Sequence, residues 1–167
     1  MVAFLGGTIG NFLPGERSSF LGELHDTLVP GDWLLLGTDL VKDPGVLVPA
    51  YDDEAGVTAD FNRNILAVLN RELGADFDLD NFEHVAVWDP ENEWVEMRLR
   101  ATATANVTLS ELALDIVVQT GEEIRTEISA KFRREGVERE LAKAGFDMDS
   151  WLTDPDGRFA LSLARVR

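Results

Sequence analysis

The first forty residues alternate between short apolar runs and glycine turns. Residues 2–5 form one continuous apolar run and residues 33–37 form a second. Between them, apolar side chains recur at helical spacing on one face, at Phe20, Leu21, Leu24 and Leu28. A strand, a helix and a strand in this order predict a βαβ unit. Because both strands are apolar throughout, the pattern predicts parallel strands that are covered on both faces.

The pattern changes after Leu40, where a break at 42–45 leads into two predicted helices. Residues 46–51 predict a short helix, and an acidic loop follows at 52–56. Thr58 is suited to cap a longer helix that ends before Gly74. This helix has an i, i+4 stripe that predicts its buried face, formed by Phe61, Ile65, Leu69 and Leu73.

From residue 84 to residue 132 the apolar period falls to two, which is typical of strands. Residues 85–88 and 94–103 flank a turn and predict a hairpin. Further strands are predicted at 106–109, 112–119 and 124–132, so that this stretch forms an antiparallel sheet. The pattern then predicts a helix closed by Gly145 and two last strands around the turn at 154–157.

These changes predict an α/β protein with an inserted α+β domain. The predicted boundaries are 1–41 for the first part of the α/β domain, 42–131 for the insert, and 132–167 for the return to the first sheet. Such an insert is a common way to place a substrate-binding cap on a cofactor domain, and it indicates a ligand between the two parts.

Composition narrows the class of partner. The chain has 167 residues, no cysteine and a net charge of −16. Nucleic acids and anionic membranes are disfavoured because both are bound through basic surfaces. The absence of cysteine removes disulfides and thiolate metal sites, and fits a cytoplasmic protein. His25 and His84 are not in a metal-ligand spacing, so no metal site is expected.

The first candidate site is the loop that runs from Gly6 to Asn11. It follows a predicted parallel strand, at the sheet edge where open α/β folds bind ligands. Glycines let backbone amides approach a ligand, and the side-chain amide of Asn11 both donates and accepts hydrogen bonds. These properties suit the ammonium and carboxylate groups of an amino acid. On spacing alone, a plain strand-to-helix turn remains the alternative.

The second candidate is Glu127 with Ser129. Two residues apart on one strand, these side chains project to the same face. A carboxylate and a hydroxyl in this arrangement could hold the two nitrogens of an imidazole. On the pattern alone, a solvated polar face is the favoured alternative. Tyr51 is the only tyrosine and could donate to a carboxylate, or be a surface aromatic. Met97 lies on an apolar strand face, which favours a core position.

Together these residues resemble the S-adenosylmethionine-dependent, histidine-specific Nα-methyltransferase family of ergothioneine biosynthesis. The likeness runs along the whole chain, and the segments that carry it are FLGGTIGN at 4–11, LGTDLVKD at 36–43, AYDD at 50–53, FNRN at 61–64 and TEIS at 126–129. The resemblance implies a class I, Rossmann-like methyltransferase sheet with an inserted α+β substrate-binding domain. It also implies that S-adenosylmethionine is the methyl donor and L-histidine the substrate, with hercynine as product.

The resemblance implies roles for individual residues. Gly6 and Asn11 would hold the α-amine and the carboxylate, and Asn11 would aim the amine's lone pair, which makes it the expected catalytic residue. Tyr51 would bind the carboxylate. The imidazole would be recognised by Glu127 and Ser129, and Met97 would line the side-chain pocket.

The chain departs from the family at its front. The G-x-G turn that lies under the cofactor in class I methyltransferases is absent from its 14 glycines. We therefore expect this chain to be the C-terminal half of such an enzyme, with no assigned cofactor-binding residue, and its missing N-terminal half as a possible partner. A non-catalytic fragment, or an amino-acid-binding module, is the alternative.

Overall fold

The computed structural model describes all 167 residues and divides them into two compact units. Unit 1 comprises Met1–Asp43, Asp89–Trp94 and Ile128–Arg167, and unit 2 comprises Pro44–Trp88 and Val95–Glu127. The division into an α/β domain at 1–41 and 132–167 and a substrate-binding insert at 42–131 remains a prediction. The compact units differ from them because the turn at 89–94 and the strand end at 128–131 belong to unit 1.

Unit 1 contains a four-stranded sheet in the order β1-β2-β9-β8. Its strands are β1 (Val2–Phe4), β2 (Trp33–Asp39), β8 (Phe146–Thr153) and β9 (Phe159–Val166). β1 pairs in parallel with β2, whereas β9 runs antiparallel to both β2 and β8. Helix α1 (Pro14–Asp26) connects the parallel strands. The βαβ unit predicted from the apolar pattern is therefore confirmed.

The core of unit 1 lies between this sheet and two helices. Leu21 of α1 and Leu141 of α4 (Arg134–Lys143) are buried with Leu34 and Phe146 of the sheet. The coverage predicted for both faces of the opening strand is wrong, because the central residue of β1, Ala3, is exposed. The strand is apolar on both sides, but only Val2 and Phe4, on one side, are partly buried against the core.

Unit 2 contains two helices and the greater part of the five remaining strands, whose ends at Asp89, Trp94 and 128–130 lie in unit 1. These elements are α2 (Pro44–Tyr51), α3 (Val57–Leu73), β3 (Phe82–Asp89), β4 (Trp94–Ala101), β5 (Ala105–Leu109), β6 (Leu114–Val118) and β7 (Glu123–Ala130). The strands form two sheets rather than one, with orders β3-β4-β7 and β5-β6. Leu66 of α3 packs with Phe82, Leu99 and Val107 in a separate core.

Helix α3 differs from its prediction at both its start and its buried face. The helix begins at Val57 after Gly56, and the carboxylate of Asp53 accepts from the amides of Val57 and Thr58 at 3.1 and 2.8 Å. Thr58 is therefore not the N-cap. Phe61 is 59% exposed, whereas its neighbour in the chain, Asn62, is fully buried. The predicted C-terminal Gly74 is confirmed, with a left-handed φ of 56°.

No helix of the chain combines the length and the apolar character that crossing a membrane requires.

Candidate functional site

The loop from Gly6 to Asn11 lies at the carboxyl end of β1. Gly6 and Gly7 have φ values of 80° and 73°, which L side chains rarely adopt. They turn the chain into a short 3-10 helix, Thr8–Asn11, in which Ile9 is buried and Asn11 is exposed. The loop thus lies at the carboxyl end of the parallel pair, as predicted, and it carries Asn11 as an exposed residue.

The third glycine of this loop, Gly10, packs against the end of β7. A Cβ atom at Gly10 would lie 2.7 Å from the carbonyl oxygen of Ala130 and 3.2 Å from its nitrogen. Only glycine allows the two backbones to approach this closely. The structure therefore places the loop that carries Asn11 beside the residue that follows Ser129.

Ser129 belongs to a buried polar cluster in unit 1. It is 8% exposed, and its hydroxyl oxygen accepts from the ammonium of Lys131 at 2.8 Å. Lys131 also pairs with the carboxylate of Asp39 at 3.0 Å, and Lys42 pairs with the other oxygen of Asp39. The interpretation of Ser129 as part of a solvated face is wrong, because the carboxylate that ends β2 draws Lys131 inward.

Glu127 lies on the polar face of β7 in unit 2, and it is half-buried. The neighbouring residues of this face form ion pairs. Arg98 donates to Glu96 at 2.8 Å and to Glu123 at 2.6 Å, and Arg125 donates to Glu96 at 3.1 Å. Hydrogen bonds from Arg98, and then from Arg100, hold the pKa of Glu123 below its usual range. The carboxylate of Glu123 is thus kept ionised.

Tyr51 and Met97 are also in unit 2, and one hydrogen-bonded network contacts the backbone of both. The carbonyl of Tyr51 lies 2.7 Å from His84, and that of Met97 lies 2.9 Å from Thr126. Asn62 joins His84 to Thr126. Met97 is 4% exposed, which agrees with the core position favoured by its pattern.

The sequence-predicted residues therefore fall into two groups. Unit 1 holds Gly6, Asn11 and Ser129, and unit 2 holds Tyr51, Met97 and Glu127.

Sequence reasoning missed the polar residues that support both groups, which are Asp39, Asn62, His84, Thr126 and Lys131. Lys131 had a signal in its i, i+2 relation to Ser129. For Asn62, the available signal was the presence of an amide side chain within an otherwise amphipathic helix.

The fold defines the broad class of the chain. The PH0226 protein from Pyrococcus horikoshii OT3 has the same fold, with a TM-score of 0.50 and 14% sequence identity, over 99% of this chain and 54% of that one. Two parallel strands, with a glycine loop at the carboxyl end of β1, are continued by an antiparallel hairpin and form part of a Rossmann-like sheet. This confirms the fold class expected from the sequence.

Sequence comparison then gives the family. The profile of a family described as histidine-specific methyltransferase, SAM-dependent, matches residues 1–166. The chain belongs to this family. It is 60% identical over 164 residues to a histidine N-alpha-methyltransferase of Mycolicibacterium smegmatis, and 55% identical to one of Mycobacterium tuberculosis.

Both relatives are longer than this chain. Each alignment covers 98% of this chain and 51% of the relative, so the chain spans about half the length of the curated relatives it matches.

Proposed function

We propose that this chain is the histidine-binding part of an enzyme that methylates the α-amine of L-histidine to hercynine in ergothioneine biosynthesis. The observation that carries the proposal is 60% identity to a histidine N-alpha-methyltransferase over 98% of the chain. A Neurospora crassa protein described as ergothioneine biosynthesis protein 1 is 29% identical over 152 residues and points to the same pathway. We assign the activity to the cytoplasm.

The substrate's amino-acid group is held by neutral side chains in this proposal. Asn11 accepts a hydrogen bond from the α-amine and so directs the nitrogen lone pair, and Gly6 leaves room for the amine and the carboxylate. The phenol of Tyr51 donates to the carboxylate. The amine is nucleophilic when neutral, so positioning supplies most of the rate and no strong protein base is required.

The imidazole is recognised by Glu127 and Ser129, with Met97 as an apolar wall. In this proposal the carboxylate of Glu127 accepts a hydrogen bond from a ring N–H. The Ser129 hydroxyl faces the other ring nitrogen. A pocket of this kind discriminates against amino acids whose side chains leave its polar groups unpaired.

S-adenosylmethionine would supply the methyl group. The residues of this chain do not form a complete site for it, because no G-x-G turn is present and the carboxylate that ends β2, Asp39, is engaged by Lys42 and Lys131. We assign no cofactor-binding residue here and propose an N-terminal half as the partner that would supply them.

The test is calorimetric titration of L-histidine into the folded chain in the presence of S-adenosylmethionine. We expect one-to-one binding. Glu127→Leu with Ser129→Ala should lower histidine affinity by about 10- to 100-fold, as expected for lost hydrogen bonds to a charged group, and should remove the preference over phenylalanine. The control pair is Ser18→Ala with Glu138→Leu, two exposed residues of α1 and α4. Unchanged selectivity in the first pair would refute the pocket assignment.

The second candidate is a non-catalytic fragment or amino-acid-binding module. It is favoured by the coverage of only 51% of each mycobacterial relative. No heat of binding from a chain that circular dichroism shows to be folded would support the non-catalytic fragment. Saturable binding without methyl transfer would support the binding module.

A further inference from the structure

Asn62 is a fully buried amide whose hydrogen-bonding groups are all directed at protein partners. Its side-chain nitrogen donates to the carbonyl of Arg98 at 3.0 Å and approaches Nδ1 of His84 at 2.9 Å. Its oxygen accepts from the hydroxyl of Thr126 at 2.6 Å. The carbonyl of Arg98 can only accept, which fixes the orientation of the amide. A buried amide costs free energy unless it is satisfied in this way.

This orientation fixes the protonation of the His84 ring. The nitrogen of Asn62 can only donate, so Nδ1 of His84 must accept. The neutral ring therefore carries its proton on Nε2, which donates to the carbonyl of Tyr51 at 2.7 Å. One chain of hydrogen bonds thus runs in a single direction from Asn62 through His84 to the backbone of Tyr51.

The end of helix α2 depends on this contact. α2 has eight residues and contains Pro49, which lacks an amide hydrogen. So short a helix has little stability of its own, and the carbonyls of its last turn have no partner within the helix. His84 supplies a partner for the last of them, at Tyr51. Leu47 is the buried apolar residue of α2.

We infer that Asn62 and His84 are positioning residues that fix Tyr51, and through it the point where the substrate carboxylate binds. The inference rests on the proposed role of Tyr51. Neither residue touches the substrate. Asn62 holds the His84 ring in the tautomer that can donate, and His84 holds the end of α2 so that the phenol is presented in one place.

A double-mutant cycle tests the inference in this chain, with histidine affinity in the presence of S-adenosylmethionine as the readout. We expect His84→Leu to weaken binding about tenfold, as for a hydrogen bond to a charged group that is lost or misaligned. His84→Gln retains a donor for the Tyr51 carbonyl and should recover most of the affinity. His25→Leu, at the other histidine of the chain, is the control and should bind as the wild type does.

The coupling energy between His84→Leu and Tyr51→Phe distinguishes a residue that positions Tyr51 from one that only stabilises the fold. If His84 acts through the phenol, His84→Leu adds little to the effect of Tyr51→Phe, whereas independent effects would add. Additive losses, or no loss in His84→Leu, would overturn the inference. A Tyr51→Phe variant that binds histidine normally would instead refute the proposed role of Tyr51.

A spectroscopic measurement does not depend on ligand binding. The ¹⁵N shifts of the His84 ring in the ligand-free chain should be those of the neutral Nε2–H tautomer, and Asn62→Leu should allow the other tautomer to appear. A wild-type ring that carries its proton on Nδ1, or on both nitrogens, would contradict the network. This measurement tests the hydrogen-bonded network even if a variant folds poorly or the chain binds no histidine.

Discussion

Gly10 occupies a position where the backbone of Ala130 leaves no space for a side chain. We expect Gly10→Ala to lower the free energy of unfolding by about 1–3 kcal/mol, as overpacking does, because the new Cβ would lie 2.7 Å from the Ala130 carbonyl oxygen. Chemical denaturation measures the change.

Gly22 of α1 is the matched control for this substitution. No atom lies within 4 Å of a Cβ built there, so Gly22→Ala should stabilise the chain by about 0.5–1 kcal/mol through its better helix propensity. Equal effects at the two glycines would show that the contact with Ala130 does not restrict position 10.

At one position of α3, the hydropathy pattern predicted the wrong buried residue. Phe61 and Asn62 are adjacent on α3, and hydropathy predicts the phenylalanine inside. The reverse is found because three partners for the amide of Asn62 come from strands β3, β4 and β7. Those partners lie 22 to 64 residues away in the chain, so no local window of sequence contains them.

At the scale of elements, the start of α3 depends on a charged cap. Hydrogen bonds from the side chain and amide of Thr58, and from the amide of Val57, lower the pKa of Asp53 from 3.8 to about 2. The folded state thus favours the ionised carboxylate. Its contribution to stability is complete above about pH 3.8 and is lost as the pH falls through about 2.

We therefore expect Asp53→Asn to destabilise the chain near neutral pH, and the difference from the wild type to shrink as the pH approaches 2. Thermal unfolding followed by circular dichroism at several pH values measures this. The exposed neighbour Asp52 provides the control substitution, Asp52→Asn, which should leave stability nearly unchanged. A difference for Asp53→Asn that did not vary with pH would argue against an ionised cap.

At the scale of the whole molecule, the chain has two separate hydrophobic cores. Leu141 lies in the core of unit 1 and Leu99 in that of unit 2, and both are fully buried. Truncating either to alanine should cost about 2–5 kcal/mol through lost burial and the cavity left behind. Hydrogen exchange should show the loss of protection chiefly in the unit that carries the substitution.

Leu152, on β8, is 59% exposed and serves as the control, because a surface substitution changes stability by about 0.5 kcal/mol or less. A uniform loss of protection across all amides in both core variants would contradict two separate cores.

Most of the elements could be predicted because their signals are local. The βαβ unit, the closing hairpin and the glycine loop each follow from apolar periodicity and turn residues within a few positions. The division of the middle strands into two sheets could not, because alternation marks a strand without naming its neighbour. The polar surroundings of Ser129 could not be predicted either, because Asp39, which pairs with Lys131 there, lies 90 positions earlier in the chain.

By itself, the sequence determined the order and type of the main elements, the fold class and the family, since these depend on local periodicity and on motifs such as GGTIGN and TEIS. Only the tertiary structure decided which polar side chains are buried and what they support. Lys131 is drawn inward by Asp39, and Asn62 is buried by acceptors and donors on three strands. Burial of a polar group is favourable only when its partners are in place, and the fold alone brings partners distant in the chain together.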